Sequence, residues 1–308
     1  MSKTLHALAA GLLAAGLTAC GPKETPAAAG GKLQVVTTIG MIADVAARIA
    51  GPHAEVSALM GAGVDPHLYK ASEGDVRRLS SADLILYNGL HLEGKMGDIL
   101  VKLARQRPVV AVSEEVPQDR LREPPEFQGQ YDPHIWFDVS LWAMVVGPIE
   151  RELSKLRPAN ADEFRANAGA LRKDLEDLDH WVMERIRAVP AAQRVLVTAH
   201  DAFGYFGRRY EIEVHGLQGI STVAEAGLKD VEKLVDLIVT RKVKAIFVES
   251  SVPRRSIEAV QAACRSRQHD VAIGGQLFSD AMGAAGTPEG TYAGMVRHNV
   301  NTVVEALR

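Results

Sequence analysis

One segment limits the folds open to this chain more than any other: residues 160 to 189. Apolar residues stand there at Phe164, Ala168, Leu171, Leu175, Leu178, Val182, Ile186 and Val189, in steps of 4, 3, 4, 3, 4, 4 and 3. That spacing is one face of an α-helix. Pro158 precedes it and Pro190 follows it, and both are expected helix boundaries. At about 1.5 Å per residue the helix would be roughly 45 Å long, enough to run the length of a two-lobed molecule. Its other face carries Arg165, Lys173, Asp174, Glu176 and Asp177, and reads as solvated.

On both sides of this helix, short apolar runs alternate with amphipathic stretches. Candidate strands are residues 33–37, 54–60, 84–88, 109–112 and 134–137 before it, and 195–199, 213–217, 245–249 and 271–274 after it. A β-then-α order implies parallel sheets flanked by helices. The expected fold is therefore α/β: two lobes with mostly parallel sheets, joined by one long rigid helix. The divisions fall at 33–157, 158–190 and 191–308. Residues 114–131 (EEVPQDRLREPPEFQGQY) are polar and contain prolines, and are expected to form a surface excursion of the first lobe.

The front of the chain belongs to neither lobe. Lys3 gives it a positive start, and the apolar stretch from Ala7 to Leu17 is too short to span a bilayer. Leu17-Thr18-Ala19-Cys20 follows, with Gly21 after it, and this resembles a bacterial lipobox. The expectation is a signal peptide over 1–19 and a lipidated Cys20 as the mature N-terminus. An ordinary secretory signal with an incidental cysteine is the alternative. Residues 20–32 are rich in Pro, Gly and Ala and read as a flexible tether. With Cys20 lipidated, Cys264 has no intramolecular disulfide partner; its helical spacing with Ile257, Val260 and Ala263 suggests a buried, inert thiol. Hydrophobic residues make up 47% of the 308 and charged residues 24%, the balance of a soluble globular protein. A formal net charge of -3 offers no basic field for nucleic acid.

Chemistry is suggested by two similar tripeptides, Asp65-Pro66-His67 and Asp132-Pro133-His134. Proline fixes its own φ and biases the residue before it toward an extended shape, so each histidine is presented by stiff backbone. A metal ligand gains from such preorganisation. Asp65 and Asp132 are placed to accept hydrogen bonds behind the histidines. After the helix, His200 closes the run 195–199, and Asp280 follows the run 271–274 by a short loop. Both would lie beyond the C-terminal edge of a parallel sheet, where ligands of open α/β sheets bind. Glu249 ends the run 245–249 at the same edge and is expected behind the ligands. Glu225 is a weaker candidate. His53, His91, His180, His215, His269 and His298 have no such setting, and Phe203, Tyr205 and Phe206 read as core. On spacing alone the choice among ten histidines stays open, because the candidates are far apart and no short zinc-finger spacing helps.

Several longer stretches carry a resemblance: GVDPHLYKAS, ADLILYNGLHLEGKM, DPHIWFDVSLW, RVLVTAHDAFGYFGRRY, GLQGISTVAEAG, AIFVESSVP, GGQLFSDAMG and AGTPEGTY. With them the chain resembles the TroA family of metal-binding solute-binding lipoproteins (cluster A-I, or cluster 9) over residues 33 to 308, and its treponemal branch more than its streptococcal one. The resemblance implies His67, His134, His200 and Asp280 as metal ligands and two α/β lobes joined by one rigid helix. It also implies an ABC permease with its ATPase in the inner membrane as partners, and a monomer held outside the cytoplasm by lipid on Cys20. In this family, dedicated manganese binders typically carry Glu where His200 stands. Three imidazoles favour Zn²⁺, and Mn²⁺ prefers more oxygen. Against this, zinc importers often carry a His-rich loop, and residues 114–131 contain no histidine. The expected cargo is Zn²⁺, with Mn²⁺ the alternative and Fe²⁺ behind both. Two other classes compete: a surface adhesin and a zinc-dependent hydrolase. Catalytic zinc usually keeps an open position beside three protein ligands, and neither a His-Glu-x-x-His stretch nor a G-x-S-x-G elbow is present.

Overall fold

The structure, a computed structural model, describes residues 31–127 and 129–308. The signal peptide expected over 1–19, the lipidation of Cys20 and nearly all of the tether lie outside the described residues. Among the described residues, no helix is long and apolar enough to cross a membrane.

The N-terminal half runs β1 (Leu33–Thr37), α1 (Gly40–Ala50), β2 (Ala54–Ala58), α2 (Glu73–Ser81), β3 (Leu84–Tyr87), α3 (Gly97–Leu103) and β4 (Val109–Ala111). Its four strands form one parallel sheet in the order β2-β1-β3-β4. Helices α4 (Val139–Trp142) and α5 (Val146–Leu156) lead into the long helix α6 (Ala161–Arg187). The C-terminal half continues with β5 (Val195–His200), α7 (Gly204–Tyr210), β6 (Glu213–Gln218), α8 (Leu228–Arg241), β7 (Ala245–Glu249), α9 (Arg255–Ser266), β8 (Ala272–Leu277) and α10 (Tyr292–Leu307). Strand β5 pairs in parallel with β6 and β7 with β8, and β5 lies against β7. This is the α/β fold with parallel sheets and a long helix that the alternation implied.

Two strand expectations need correction. The run 134–137 is not a strand: Ile135–Phe137 form a 3-10 turn that His134 precedes. Ile135 N–H donates to the Pro133 carbonyl at 2.9 Å and Phe137 N–H to the His134 carbonyl at 3.3 Å, so the backbone closes on itself. Ile135, Trp136 and Phe137 are all buried, and periodicity cannot separate turn from strand in so short an apolar run. The last strand does not stop at Gly274. It continues to Leu277 through a bulge, where Ile246 pairs with Ile273 and Phe247 with Gly275. Gly274 is the extra residue. A Cβ there would lie 2.6 Å from Ala306 Cβ, and one on Gly275, whose φ is +144°, 2.5 Å from Thr302 Cγ2. The glycine pair thus lets α10 approach β8 closely while the strand is redirected toward Asp280.

Helix α6 has 27 residues, so about 40 Å of length. It buries Phe164, Ala168, Leu171, Leu175, Leu178, Val182 and Ile186, the face that the spacing picked out. It packs on α1 and α5 of the N-terminal half and on α10 of the C-terminal half. Asn167 Nδ2 donates to the Ile49 carbonyl and Arg185 to Asn301 Oδ1, each at 3.0 Å, so it is tied to both halves. Asp179 is the one buried carboxylate on the helix. It takes a two-pronged contact from Arg209 and a 2.8 Å hydrogen bond from the Tyr210 hydroxyl, which itself accepts from Val139 N–H at 3.3 Å. One hydrophobic core runs from Leu33 through α6 to Leu307, and each fully buried aliphatic or phenyl side chain contributes about 1.5–3 kcal/mol. A second core lies under α8 and α9 and includes Cys264, buried as expected. Strand β5 is buried on both faces and divides itself between the two cores, Leu196 to one and Val195, Val197 and Ala199 to the other.

Residues 114–131 are the polar segment expected as a surface excursion of the first lobe. It also reaches the other half: Arg208 donates to the Arg120 carbonyl at 2.6 Å, and Arg122 N–H donates to the Tyr205 hydroxyl at 3.0 Å.

Candidate metal centre

The N-terminal half places His67 on the loop after β2 and His134 on the turn before α4. The C-terminal half places His200 as the last residue of β5 and Asp280 three residues after β8. The four come together at the seam between the halves, with one ligand atom of each within 4.8 Å of the others. Only His200 closes a strand, and Asp280 lies close to one. His67 and His134 owe their positions to loops.

Each loop is fixed locally. Asp65 Oδ1 accepts His67 N–H at 2.8 Å, and Asp132 Oδ1 accepts His134 N–H at 3.0 Å, so both aspartates brace the proline turns as their spacing suggested. Asp132 Oδ1 also lies 2.7 Å from His134 Nδ1, and its other oxygen pairs with Arg122. Glu249 does the same for His200, with Oε1 accepting the backbone N–H at 2.8 Å and Oε2 lying 2.5 Å from Nδ1. With Nδ1–H donated to a carboxylate, loss of the other ring proton leaves the Nε2 lone pair of each ring facing the centre. The loop carrying Asp280 is held from both halves. Trp136 Nε1 donates to the Ser279 carbonyl at 3.0 Å, Ser251 and Ser279 hydroxyls meet at 2.8 Å, and Asn299 brackets Phe278.

At the centre, His67 Nε2 and His134 Nε2 are 3.3 Å apart. Asp280 Oδ1 lies 3.4 Å from His134 Nε2, and Oδ2 lies 3.3 Å from His200 Nε2 and 3.8 Å from His67 Nε2. A tetrahedral ion with bonds of about 2.0–2.2 Å sets its ligand atoms roughly 3.3–3.6 Å apart, the range in which three of these four separations fall. His67 is 4% exposed, His134 and His200 0%, and Asp280 1%. His200 Nε2 and both oxygens of Asp280 have no hydrogen-bond partner. Burying polar atoms without a partner is costly, and a cation between them removes that cost.

Electrostatics in the ion-free protein follow from this crowding. Burial works against charge on His134, yet the Asp132 and Asp280 carboxylates raise it to about 9. His200 is likewise raised well above its ordinary range by Glu249 and Asp280, against burial. Asp280 is held far below the carboxylate range, its desolvation overcome by the two imidazoles. His67 goes the other way: burial, joined by the positive charges on His134 and His200, outweighs the Asp280 carboxylate and lowers it to about 3. The cluster thus stores protons on His134 and His200 and leaves His67 neutral.

The other described histidines are elsewhere. His53 pairs with Glu163, His215 with Glu213, and His269 and His298 with backbone carbonyls; His91 and His180 are exposed. Glu225 is exposed on the segment before α8. Tyr205 is core, as expected, but its hydroxyl also donates to the Asp132 carbonyl at 2.9 Å. A buried tyrosine hydroxyl requires a partner, which was the one available signal for that role. Arg122, Trp136 and Thr222 carried no sequence signal of their own.

Two α/β halves on a shared long helix, with three imidazoles and a carboxylate sealed at their seam, define a metal-binding solute-binding protein. The chain belongs to the ZnuA family, zinc-uptake complex component A periplasmic, whose model matches residues 35–306. A manganese-binding lipoprotein MntA of Bacillus subtilis is 52% identical over 293 residues, covering 95% of each chain. A zinc-binding protein TroA of Treponema pallidum is also 52% identical, over 300 residues, 97% of this chain and 96% of that one. The solved structure of that periplasmic zinc-binding protein matches with a TM-score of 0.88 at 53% identity, over 90% of this chain and 99% of that one. The manganese ABC transporter lipoprotein PsaA of Streptococcus mitis is 31% identical over 297 residues, so the treponemal leaning read from the sequence is borne out.

Proposed function

We propose that this protein is the capture component of an ABC importer for a divalent transition metal, with His67, His134, His200 and Asp280 holding the ion. The carrying observation is the convergence of these four buried groups, with three of their atoms lacking any partner. Relatives named for zinc and for manganese are equally similar, at 52% each, so identity does not choose between the ions. The donor set favours Zn²⁺, because three imidazoles suit it and the divalent affinity order places Mn²⁺ lower. Mn²⁺ is the second cargo and Fe²⁺ the third.

The ligands divide evenly between residues 33–157 and 191–308, with 158–190 as the linking helix. The ion therefore draws two lobes together. Their shared helix and continuous core favour a small tilt over a wide hinge. A membrane permease, driven by its ATPase, receives the closed form and must disfavour it to free the ion. Lipid on Cys20, with residues 20–32 as tether, keeps the monomer at the membrane outside the cytoplasm. The protein is a carrier rather than an enzyme: four protein ligands fill a tetrahedral ion, where catalytic zinc keeps a position for water.

Metal analysis of protein purified without chelator, followed by Zn²⁺/Mn²⁺ competition, tests the reading. One ion per chain, lost in His200→Ala, is expected. Unchanged stoichiometry and affinity in that variant would show that the four residues are not the ligands.

A further inference from the structure

We propose that Thr222 is a latch that holds the His67 loop closed over the ion and so sets how fast the ion leaves. This rests on the four-ligand site above. The three imidazoles are not held alike. His134 and His200 each have a carboxylate on Nδ1, from Asp132 at 2.7 Å and Glu249 at 2.5 Å. The Nδ1 of His67 has no hydrogen-bond partner among the described residues, so its ring is positioned through its backbone, whose N–H donates to Asp65 Oδ1 at 2.8 Å.

Asp65 has a second oxygen, and that one reaches the opposite half. Thr222 Oγ1 donates to Asp65 Oδ2 at 2.6 Å, between residues 157 apart in the chain. One carboxylate thereby converts a contact with the C-terminal half into the position of an N-terminal ligand. Thr222 lies on the irregular segment between β6 and α8, and its residue is only 7% exposed while Val223 beside it is 60% exposed. Among the described residues, this is the only side-chain hydrogen bond from residues 219–227 to the N-terminal half.

The far end of the His67 loop is fastened independently. Tyr69 hydroxyl donates to Asp75 at 2.7 Å, and Ser72 and Asp75 form a reciprocal cap on α2. Near its start the loop lies against the other half, where a Cβ on Gly63 would sit 3.4 Å from the Ser250 carbonyl. With one end anchored to α2, the loop can swing His67 away only when the Asp65–Thr222 bond opens. An ion arriving at the open form meets no latch. An ion leaving must wait for one charge-assisted hydrogen bond to break, and such a bond is worth about a tenfold change in rate.

Stopped-flow chelator chase on the full chain loaded with Zn²⁺, and separately with Mn²⁺, tests this with Thr222→Val and Thr222→Ser. The valine variant is expected to bind one ion, with dissociation about tenfold faster and association changed less than about twofold. The serine variant, which keeps the hydroxyl, is expected to return dissociation to near the wild-type rate. Wild-type dissociation in the valine variant overturns the latch, as does a folded valine variant that binds no ion or a serine variant that fails to rescue. If folded wild-type protein takes up neither ion, the four-ligand reading fails and the latch fails with it. Wild-type uptake with unaltered variant kinetics sinks the latch alone.

Discussion

Glu249 grips His200 at two points, with Oε1 on the backbone N–H at 2.8 Å and Oε2 2.5 Å from Nδ1. The carboxylate fixes both where the ring starts and which nitrogen faces the centre. Glu249→Gln keeps the shape and removes the charge that favours an Nδ1–H donor. Loss of such a partner typically weakens metal binding by about 10–100-fold, and a fall in that range is expected by chelator competition. Affinity within about twofold of wild type would show that Glu249 does not tune the ligand.

Protonation sets a second expectation. His134, raised to about 9, holds its proton in the ion-free protein at neutral pH, and His200 does too. An ion must displace those protons, so uptake at pH 7 releases about two of them and apparent affinity rises with pH. Titration calorimetry in two buffers of different ionisation enthalpy measures the release. Affinity that stays flat from about pH 6 to 8 contradicts it.

The same shifts act on ion-free stability, each with its own sign. The raised His134 contributes fully below its unfolded value near 6.5 and loses that contribution as pH rises through about 9. Asp280, held low, contributes above the ordinary carboxylate value of 3.8 and loses it as pH falls through its lowered value. His67 opposes folding at acid pH, since its unfolded form takes a proton near 6.5 and the folded form only near 3. The melting temperature without ion should therefore decline from about pH 6.5 to 9, and bound metal should abolish that decline. An alkaline decline equally steep with metal bound would place its origin elsewhere.

In the proposed site, His200 is also the lever on metal choice. His200→Glu exchanges an imidazole for a carboxylate and gives the centre two oxygen-bearing side chains. Competition should then show the Zn²⁺:Mn²⁺ preference falling by about tenfold or more, because Mn²⁺ favours oxygen and Zn²⁺ loses a nitrogen donor. An unmoved ratio would mean that the cavity rather than the donor set selects the ion.

Legibility differed with the kind of information each feature carried. The α6 face from Phe164 to Ile186 could be read because one side of it is solvated, so its period survives in the sequence. Strand β5 could be located as an apolar run, but both its faces are buried. Ile135-Trp136-Phe137 is another wholly buried run, and it turned out to be a turn, since nothing in such a run records period. Gly274-Gly275 read as a strand end, yet only the approach of Ala306 and Thr302 gives the pair its meaning, and that approach is tertiary. The four proposed ligands stood out mainly through resemblance, because residues 67, 134, 200 and 280 meet only after both halves have folded. Glu249 was placed by its strand end. Thr222 and Arg122 act through contacts across the seam, which no local pattern encodes.

Asp179 supplies a last expectation, about how the halves share α6. It is buried, takes two prongs from Arg209 and one hydrogen bond from Tyr210, and through that hydroxyl reaches Val139 of α4. Asp179→Ala leaves the guanidinium without its partner and the tyrosine hydroxyl without its acceptor. Arg209 is partly exposed, so water recovers some of the loss, and a cost of about 2 kcal/mol is expected from urea denaturation. The four proposed ligands are untouched, so the expected stoichiometry of one ion should be kept. If the contact also holds the angle between the halves, affinity falls in parallel with stability, because two ligands come from each half. Stability falling by that amount with affinity unchanged would assign Asp179 to the fold alone.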